Sequence, residues 1–167
     1  MSYTRNEPRP VIKPTLTIAD YVLEGTSLWL LIAICAYAWL VYNSLPETIP
    51  THFNIHGQVD GYGSKWSVFI FPALALVLYI ALSILNRFPH VFNYPVAITS
   101  ENALRQYTLA TRLLRIIKTS VMIVFSIILI LTTRQNLPGI HSGFLIPVIL
   151  ILMFGPIIYY LRLAFRK

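Results

Sequence analysis

The sequence predicts an all-α integral membrane protein with four transmembrane helices. Of its 167 residues, 56% are hydrophobic and only 11% are charged, whereas soluble domains are about 45–50% apolar and about 25% charged. A chain of this length cannot hide so much apolar surface from water, because much of a small fold lies at its boundary with solvent. The composition therefore excludes a free cytosolic enzyme, a disordered chain and a small disulfide-bonded secreted scaffold.

Four apolar runs have about the length that a helix needs to cross the hydrocarbon core, which is about 20 residues. They are predicted over 26–44, 66–86, 113–133 and 143–161. The third run is long enough if Arg115 and Lys118 extend their charged ends toward the headgroups. Residues 25–167 are therefore predicted to form one four-helix transmembrane domain.

The N-terminal segment 1–24 is predicted to be a cytoplasmic tail with an interfacial helix. Thr17-x-x-Asp20 fits a capping box, in which two side chains satisfy free N–H groups at a helix start. Asp20 and Glu24 also suit a helix N-terminus, because acidic side chains complement its dipole. Since the first apolar run follows a long tail that contains Glu7, Asp20 and Glu24, we expect a transmembrane helix there rather than a cleaved signal peptide.

The basic residues predict the orientation of the chain. Eleven of the 13 Lys and Arg residues lie in the tail, between the second and third runs or at the C-terminus, and only Lys65 and Arg134 lie in the other two loops. Cytoplasmic loops are enriched in Lys and Arg. Both termini are therefore predicted to be cytoplasmic in a bacterial cell membrane, with loop 45–65 facing outward. The net charge of +7 then reflects orientation, and no nucleic-acid partner is expected.

Segment 99–118 has the pattern of a cytoplasmic amphipathic helix that runs directly into the third apolar run. Thr99 or Ser100 suits its N-cap. Its predicted basic face comprises Arg105, Arg112, Arg115 and Lys118. Three interpretations remain open: a solvated face that sets topology, a face that attracts anionic lipid headgroups at about 1 kcal/mol per basic side chain, or a docking surface for a cytoplasmic regulator.

The apolar runs carry little chemistry. None has an ionisable residue at its centre, which disfavours a proton-coupled transporter because such pathways place ionisable groups there. The sequence has no phosphate-binding loop, no dinucleotide-binding glycine motif and no nucleophile elbow. No catalytic residue and no cofactor are therefore predicted.

Loop 45–65 concentrates the remaining polar chemistry, and its conformation decides what it can do. If residues 51–56 are extended, His52 and His56 lie on one face about 13 Å apart. If they are helical, the two histidines are neighbours, and Asp60 can join them as ligands of one metal ion. The alternatives are thus a structured cap, a surface that recognises a ligand or peptide, and a metal site. In each case Tyr62 and Trp66 are expected to anchor the loop at headgroup level.

The loop resembles a known family signature. The string is Leu45-Pro46-x-x-Ile49-Pro50-Thr51-His52-Phe53-Asn54-x-x-Gly57-x-x-Asp60-Gly61-x-Gly63-Ser64-Lys65. It is similar to the membrane family called domain of unknown function 1648, which also occurs in SdpI-type immunity proteins against a sporulation-delaying toxin of Bacillus. The resemblance implies that the site or cap residues are Pro50, His52, Asn54, Gly57, Asp60, Gly61 and Lys65. His56 falls at a spacer position of the signature.

Three classes of function follow from these observations. The resemblance implies a bacterial inner-membrane protein of the immunity or signalling type, whose outward loop recognises or blocks a peptide or envelope ligand. The immunity proteins carry further C-terminal helices, whereas four are predicted here. The second class is an accessory subunit of a membrane transporter. The third is a small metal-dependent membrane enzyme, with His52, His56 and Asp60 as the candidate ligands.

Overall fold

The computed structural model describes residues 9–54, 56, 58–134 and 145–166. Within them lie four α-helices and one two-stranded antiparallel sheet. The elements in chain order are α1 (Ile18–Tyr42), β1 (Thr48–Phe53), β2 (Val59–Ser64), α2 (Ile70–Leu85), α3 (Ala103–Thr133) and α4 (Leu145–Ala164). Short 3-10 turns at Lys65–Phe69 and Pro89–Val91 precede and follow α2.

The helices confirm the prediction of four segments that are long and apolar enough to span a membrane. The candidate spans are Ile18–Tyr42, Lys65–Leu85, Ala103–Thr133 and Ile146–Ala164. Large apolar side chains cover the outside of the bundle, and Leu40 and Trp39 are 77% and 74% exposed. A helix that is apolar on all sides but little buried within the protein is typical of a membrane span. The chain is therefore a multi-pass membrane protein.

Helix α1 starts earlier than the predicted first span. It begins at Ile18 because Thr17 and Asp20 form the predicted capping box, in which the Thr17 N–H donates to Asp20 Oδ2 over 2.9 Å. The interfacial helix predicted within segment 1–24 is therefore the first part of α1, and residues 9–17 are not helical.

Helix α3 joins two predicted elements. The predicted amphipathic helix 99–118 and the third span are one continuous helix that begins at Ala103. Before it, the Thr99 N–H donates to Asn102 Oδ1 over 2.9 Å, and the Asn102 N–H donates to Thr99 Oγ1 over 3.2 Å. This reciprocal pair fixes the chain direction before the helix, but the N-cap of α3 is Asn102 and not the predicted Thr99 or Ser100.

The β-hairpin corrects the all-α prediction at one place. Strands β1 and β2 pair in antiparallel register from Thr48 opposite Ser64 to Phe53 opposite Val59, with irregularities on both sides of His52. The extended alternative for loop 45–65 is therefore right as far as Phe53, and the helical alternative is wrong. Alternating burial along β2 leaves Asp60, Tyr62 and Ser64 exposed on one face, as expected for a strand with one solvated side.

The main core lies where α1, α2, α3 and the hairpin meet. Its buried members are Leu31, Ile34, Ala38, Ile49, Val68, Ala75, Met122 and Leu129. Ile49 comes from β1, so the hairpin contributes to the same core as the helices. We call this part of the molecule, with the C-terminal ends of α1 and α3, the hairpin end, and the opposite end, with the N-terminal ends of α1 and α3, the charged end.

Helix α4 and the N-terminal segment both pack at the charged end. Tyr160 of α4 forms a small apolar cluster with Ala110 of α3. Arg9 donates to the Phe92 carbonyl over 2.6 Å, and its guanidinium lies 5.7 Å from the Tyr94 ring centroid. Burial raises the pKa of Tyr94 above its ordinary value, so its hydroxyl stays protonated. That hydroxyl donates to Pro89 O over 2.8 Å.

Candidate functional site

The base of the hairpin is fixed to the bundle. Ile49 and Pro50 are buried, and the Lys65 N–H donates to the Glu47 carbonyl over 2.9 Å. The Lys65 ammonium donates to Glu47 Oε1, also over 2.9 Å, and lies 5.4 Å from the Tyr42 ring centroid. The structure therefore gives the predicted site residues Pro50 and Lys65 anchoring contacts within the protein.

Two glycines of β2 allow β1 to approach closely. A Cβ on Gly61 would lie 3.0 Å from the Cβ of His52. A Cβ on Gly63 would lie 2.8 Å from Thr51 Cγ2 and 3.3 Å from Ser67 Oγ. Because real Cβ atoms do not approach so closely without displacing a neighbour, Gly61 and Gly63 set the distance between the strands and hence the position of His52.

Asn54 closes the turn between the strands. Its Oδ1 accepts the N–H groups of His56 and Gln58 over 2.9 and 3.0 Å, and its Nδ2 donates to Gln58 Oε1 over 3.1 Å. The Asn54 N–H also donates to the Gln58 carbonyl over 2.9 Å. Asparagine favours turns because its short side chain can bond nearby backbone groups in this way. The predicted site residue Gly57 lies outside the described residues.

His52 and Asp60 form an exposed pair on this framework. Nδ1 of His52 contacts Oδ1 of Asp60, and the two side chains are 71% and 43% exposed. No hydrogen bond joins His52 Nε2 to any other described residue, so this nitrogen is open to a ligand. A carboxylate at Nδ1 orients the imidazole ring and sets which nitrogen carries the proton. Among the predicted site residues, His52 and Asp60 lie in contact with each other and also have polar atoms that a ligand can reach.

The three predicted metal candidates are not assembled into one site. His52 and Asp60 are in contact, whereas His56 lies in the turn, where its N–H bonds Asn54. Across the described ranges, no group of three or more His, Cys, Asp or Glu side chains is arranged to hold a metal ion. What the pair offers is one aromatic nitrogen and one carboxylate for hydrogen bonding.

Aromatic side chains surround the hairpin base. The Trp66 ring centroid lies 4.8 Å from that of Tyr42 and 5.9 Å from that of Phe69, and Trp66 is 65% exposed. Tyr62 is 66% exposed on β2. Both rings remain accessible, which fits the amphipathic surroundings of a headgroup region.

The predicted basic face of segment 99–118 needs correction. Arg115 and Lys118 are 8% and 1% exposed, so they do not form a solvated or lipid-facing surface. Arg112 turns to Asp20 of α1, and Arg105 donates to the carbonyls of Arg166 and Leu163. Buried cations need anionic partners, and α1 provides them.

Asp20 is the most enclosed carboxylate of this group, with a side chain that is 3% exposed. Arg112 donates two parallel hydrogen bonds to Asp20, from Nε to Oδ1 and from Nη2 to Oδ2, each 3.0 Å long. Arg115 Nη1 lies 3.5 Å from the same Oδ1. Paired bonds of this kind are stronger and more specific than single ones.

Lys118 links three helices. Its ammonium donates to Glu24 Oε2 of α1 over 2.5 Å and to Ser83 Oγ of α2 over 2.9 Å, and it lies 4.6 Å from the Tyr79 ring centroid. Arg115 Nε lies 3.2 Å from Glu24 Oε1, without hydrogen-bond alignment. We call Asp20, Glu24, Arg112, Arg115 and Lys118 the charged cluster.

The charged cluster was missed because its two halves are about 90 positions apart in the chain. A signal was nevertheless present. Asp20 and Glu24 are four residues apart and share one helix face, as do Arg112 and Arg115, which are three apart. Both sets precede an apolar run at the same predicted side of the membrane, so opposite charges meet when α1 and α3 pack side by side.

Comparison with known proteins shows a family resemblance in the first half of the chain. The sequence pattern of a family described as "Domain of unknown function (DUF1648)" matches residues 29–76. Residues 29–76 are therefore similar to a DUF1648 domain. This domain begins within α1, contains the whole hairpin and ends within α2. The family resemblance carried by loop 45–65 is thereby confirmed.

An archaeal protein shares part of the sequence. A protein of Archaeoglobus fulgidus that is described only as uncharacterized is 39% identical over 67 residues. The match covers 35% of this chain and 37% of that protein, so the chain spans little more than a third of this relative. No solved structure matches the chain. All five residues of the charged cluster lie outside the DUF1648 domain, whereas His52 and Asp60 lie inside it.

Proposed function

We propose that the chain is a bacterial cytoplasmic-membrane protein of the immunity or signalling type, whose hairpin faces outward and recognises or blocks a peptide or another envelope ligand. The observation that carries the proposal is the exposed His52–Asp60 pair. The pair stands on a hairpin that is anchored by Ile49 and closed by Asn54. Such a framework limits the entropy lost on binding, because the recognising groups are already ordered.

The charge distribution supports the proposed orientation. The hairpin end carries Lys65 and Arg134, whereas the nine other basic residues that the structure describes lie toward the charged end. Lys and Arg are enriched on the cytoplasmic side of membrane proteins. This side is therefore assigned to the charged end, and the hairpin then faces the cell exterior.

The chemistry of the pair suits a peptide. With Nδ1 directed at Asp60, the His52 Nε2 can accept an N–H bond or, when protonated, donate to a carbonyl. Asp60 can accept a further N–H bond with its other oxygen. Tyr62 lies two residues along the same exposed face and offers an aromatic surface for an apolar side chain.

A protection assay tests this function. A bacterium that is sensitive to membrane-active peptides would express the wild-type chain, His52→Ala, Asp60→Asn or the control Thr48→Ala, which changes an exposed residue at the base of the same hairpin. We expect the wild type and Thr48→Ala to raise the lethal concentration of at least one peptide in a defined panel. We expect His52→Ala and Asp60→Asn to lose that protection at equal membrane abundance.

Two results would overturn the proposal. One is survival that never depends on the wild-type chain for any peptide of the panel. The other is full protection by both His52→Ala and Asp60→Asn, because the exposed pair would then have no part in recognition.

A further inference from the structure

The charged cluster contains one more positive than negative group. Among the residues that the structure describes, Arg112, Arg115 and Lys118 face two carboxylates, Asp20 and Glu24. Lys118 directs its ammonium at Glu24, Ser83 and the face of the Tyr79 ring, and ring faces attract cations. A surplus charge in a region of low dielectric constant is unfavourable without a counter-charge. The cluster is therefore suited to one further anion.

Arg112 is the place where such an anion can reach the cluster. Its side chain is 35% exposed, compared with 9% for Arg115 and 1% for Lys118. Its Nε and Nη2 are used by Asp20 and Thr17. Nη1 donates to none of the residues that the structure describes, so it is available to an anion approaching from outside.

An apolar groove is lined by the same arginine. It has a volume of about 170 Å³ and runs between α3 and α4, with walls that include Leu109, Leu113 and Ile116 on α3 and Pro156 and Leu163 on α4. Arg112 lines this groove too. A positive group in the wall of an otherwise apolar groove complements a molecule with a negative head and a hydrocarbon tail.

The depth of Arg112 agrees with a lipid. Arg112 lies in the N-terminal third of α3, before the uncharged part of that helix, 119–133. Its guanidinium therefore lies on the charged side of the apolar part of the span, where a lipid phosphate can approach it. We propose that an anionic phospholipid binds here, with its headgroup phosphate at Arg112 and one acyl chain in the groove between α3 and α4.

This site is separate from the proposed hairpin function, since it lies at the opposite end of the bundle and outside the DUF1648 domain. It also differs from the broad basic face that the sequence predicts, because one partly exposed arginine and a groove define it. Basic pockets between transmembrane helices are a general mode of binding for anionic headgroups.

Binding by the purified, delipidated full chain tests the site. Native mass spectrometry and thermal unfolding in detergent would be recorded with phosphatidylglycerol, with zwitterionic phosphatidylcholine and with inorganic phosphate. Ile116→Trp fills the groove and leaves every charge in place, and Arg112→Gln with Asp20→Asn removes the binding group without leaving a bare buried carboxylate. The controls are Arg134→Gln, at the other end of α3, and Leu104→Trp, an exposed α3 residue outside the groove.

We expect the wild type and both controls to bind phosphatidylglycerol in preference to phosphatidylcholine. We expect Ile116→Trp and the Arg112→Gln, Asp20→Asn double variant to bind it about tenfold more weakly or worse, a difference of about 1.4 kcal/mol. Equal binding of phosphatidylglycerol by these variants and the wild type would overturn the proposal. Displacement of phosphatidylglycerol by millimolar inorganic phosphate would also overturn it, because the site would then take a free anion.

Discussion

Lys118 of α3 and Glu24 of α1 form a buried ion pair whose Nζ–Oε2 distance is 2.5 Å. The lysine side chain is 1% exposed, whereas the glutamate is 32% exposed. The two partners therefore depend on the pair to different degrees. Glu24 remains partly exposed to solvent and has Arg115 as a second neighbour, whereas nearly all of the Lys118 side chain is enclosed by the protein.

This asymmetry predicts unequal effects of two substitutions. Glu24→Gln removes the negative charge that faces the buried Lys118 ammonium, and we expect a loss of about 3–5 kcal/mol of unfolding free energy, the usual effect of breaking a buried pair from one side. Lys118→Met should cost less than half as much, because it also removes the surplus positive charge. Unfolding in mild detergent with increasing denaturing detergent measures both. Equal losses would contradict the asymmetry.

The coupling free energy between two opposite charges should be larger in a buried ion pair of this chain than in an exposed one. Asp20 and Arg112 are joined by two aligned bonds, and Asp20 is 3% exposed. Glu47 and Lys65 form one bond, and Glu47 is 85% exposed. In double-mutant cycles with Asn or Gln at the acids and Gln at the bases, we expect a coupling of about 1–3 kcal/mol for the first pair. The second pair should couple much more weakly, because exposed ion pairs contribute little, and the prediction fails if its coupling is the larger.

The close approach of the strands predicts a specific steric effect at Gly63. Gly63→Ala places a methyl group against Thr51 Cγ2, and we expect a loss of about 1–3 kcal/mol, as for other overpacked sites. Thr51→Ser removes that Cγ2, so the double variant should regain much of the loss. Thermal unfolding in detergent measures each change. Gly25→Ala is the matched control, since no atom lies within 4 Å of a Cβ there, and it should cause no loss.

The turn at Asn54 predicts a local change in hydrogen exchange. Asn54→Ala removes the acceptor for the N–H groups of His56 and Gln58, so both amides should exchange at least about tenfold faster, which corresponds to about 1.4 kcal/mol of lost protection. Asn54→Asp keeps an oxygen at the accepting position and should retain most of the protection. Amides of α2, which lie away from the turn, should be unchanged in both variants. Faster exchange throughout the bundle would instead indicate a global loss of stability.

Much of the bundle could be predicted from local sequence properties. Hydrophobic runs identify the four helices because a membrane span needs about 20 apolar residues whatever its neighbours. The start of α1 could be predicted from Thr17-x-x-Asp20, because a capping box depends on only four consecutive residues. The continuation of the amphipathic helix into the third span could also be predicted, because the sequence contains no helix-breaking signal between them.

The hairpin and the charged cluster depend on contacts that no local pattern contains. The alternation in residues 51–56 fits a strand, but the histidine spacing fits a helix equally well, and pairing with Val59–Ser64 decides between them. Arg115 and Lys118 each resemble residues that extend toward headgroups. Their burial follows from packing against Asp20 and Glu24, about 90 residues away. The two residues of the exposed pair could be predicted from the sequence, since His52 and Asp60 both belong to the family signature.

The separation of the charged cluster along the chain also sets an order of assembly during synthesis. Membrane proteins are made from the N-terminus, so Asp20 and Glu24 emerge from the ribosome well before Arg112, Arg115 and Lys118 exist. Until then, α1 must keep its two carboxylates where water can reach them, because unpaired charges are strongly disfavoured in the bilayer. The two carboxylates of α1 therefore gain their buried partners only after α3 has been translated.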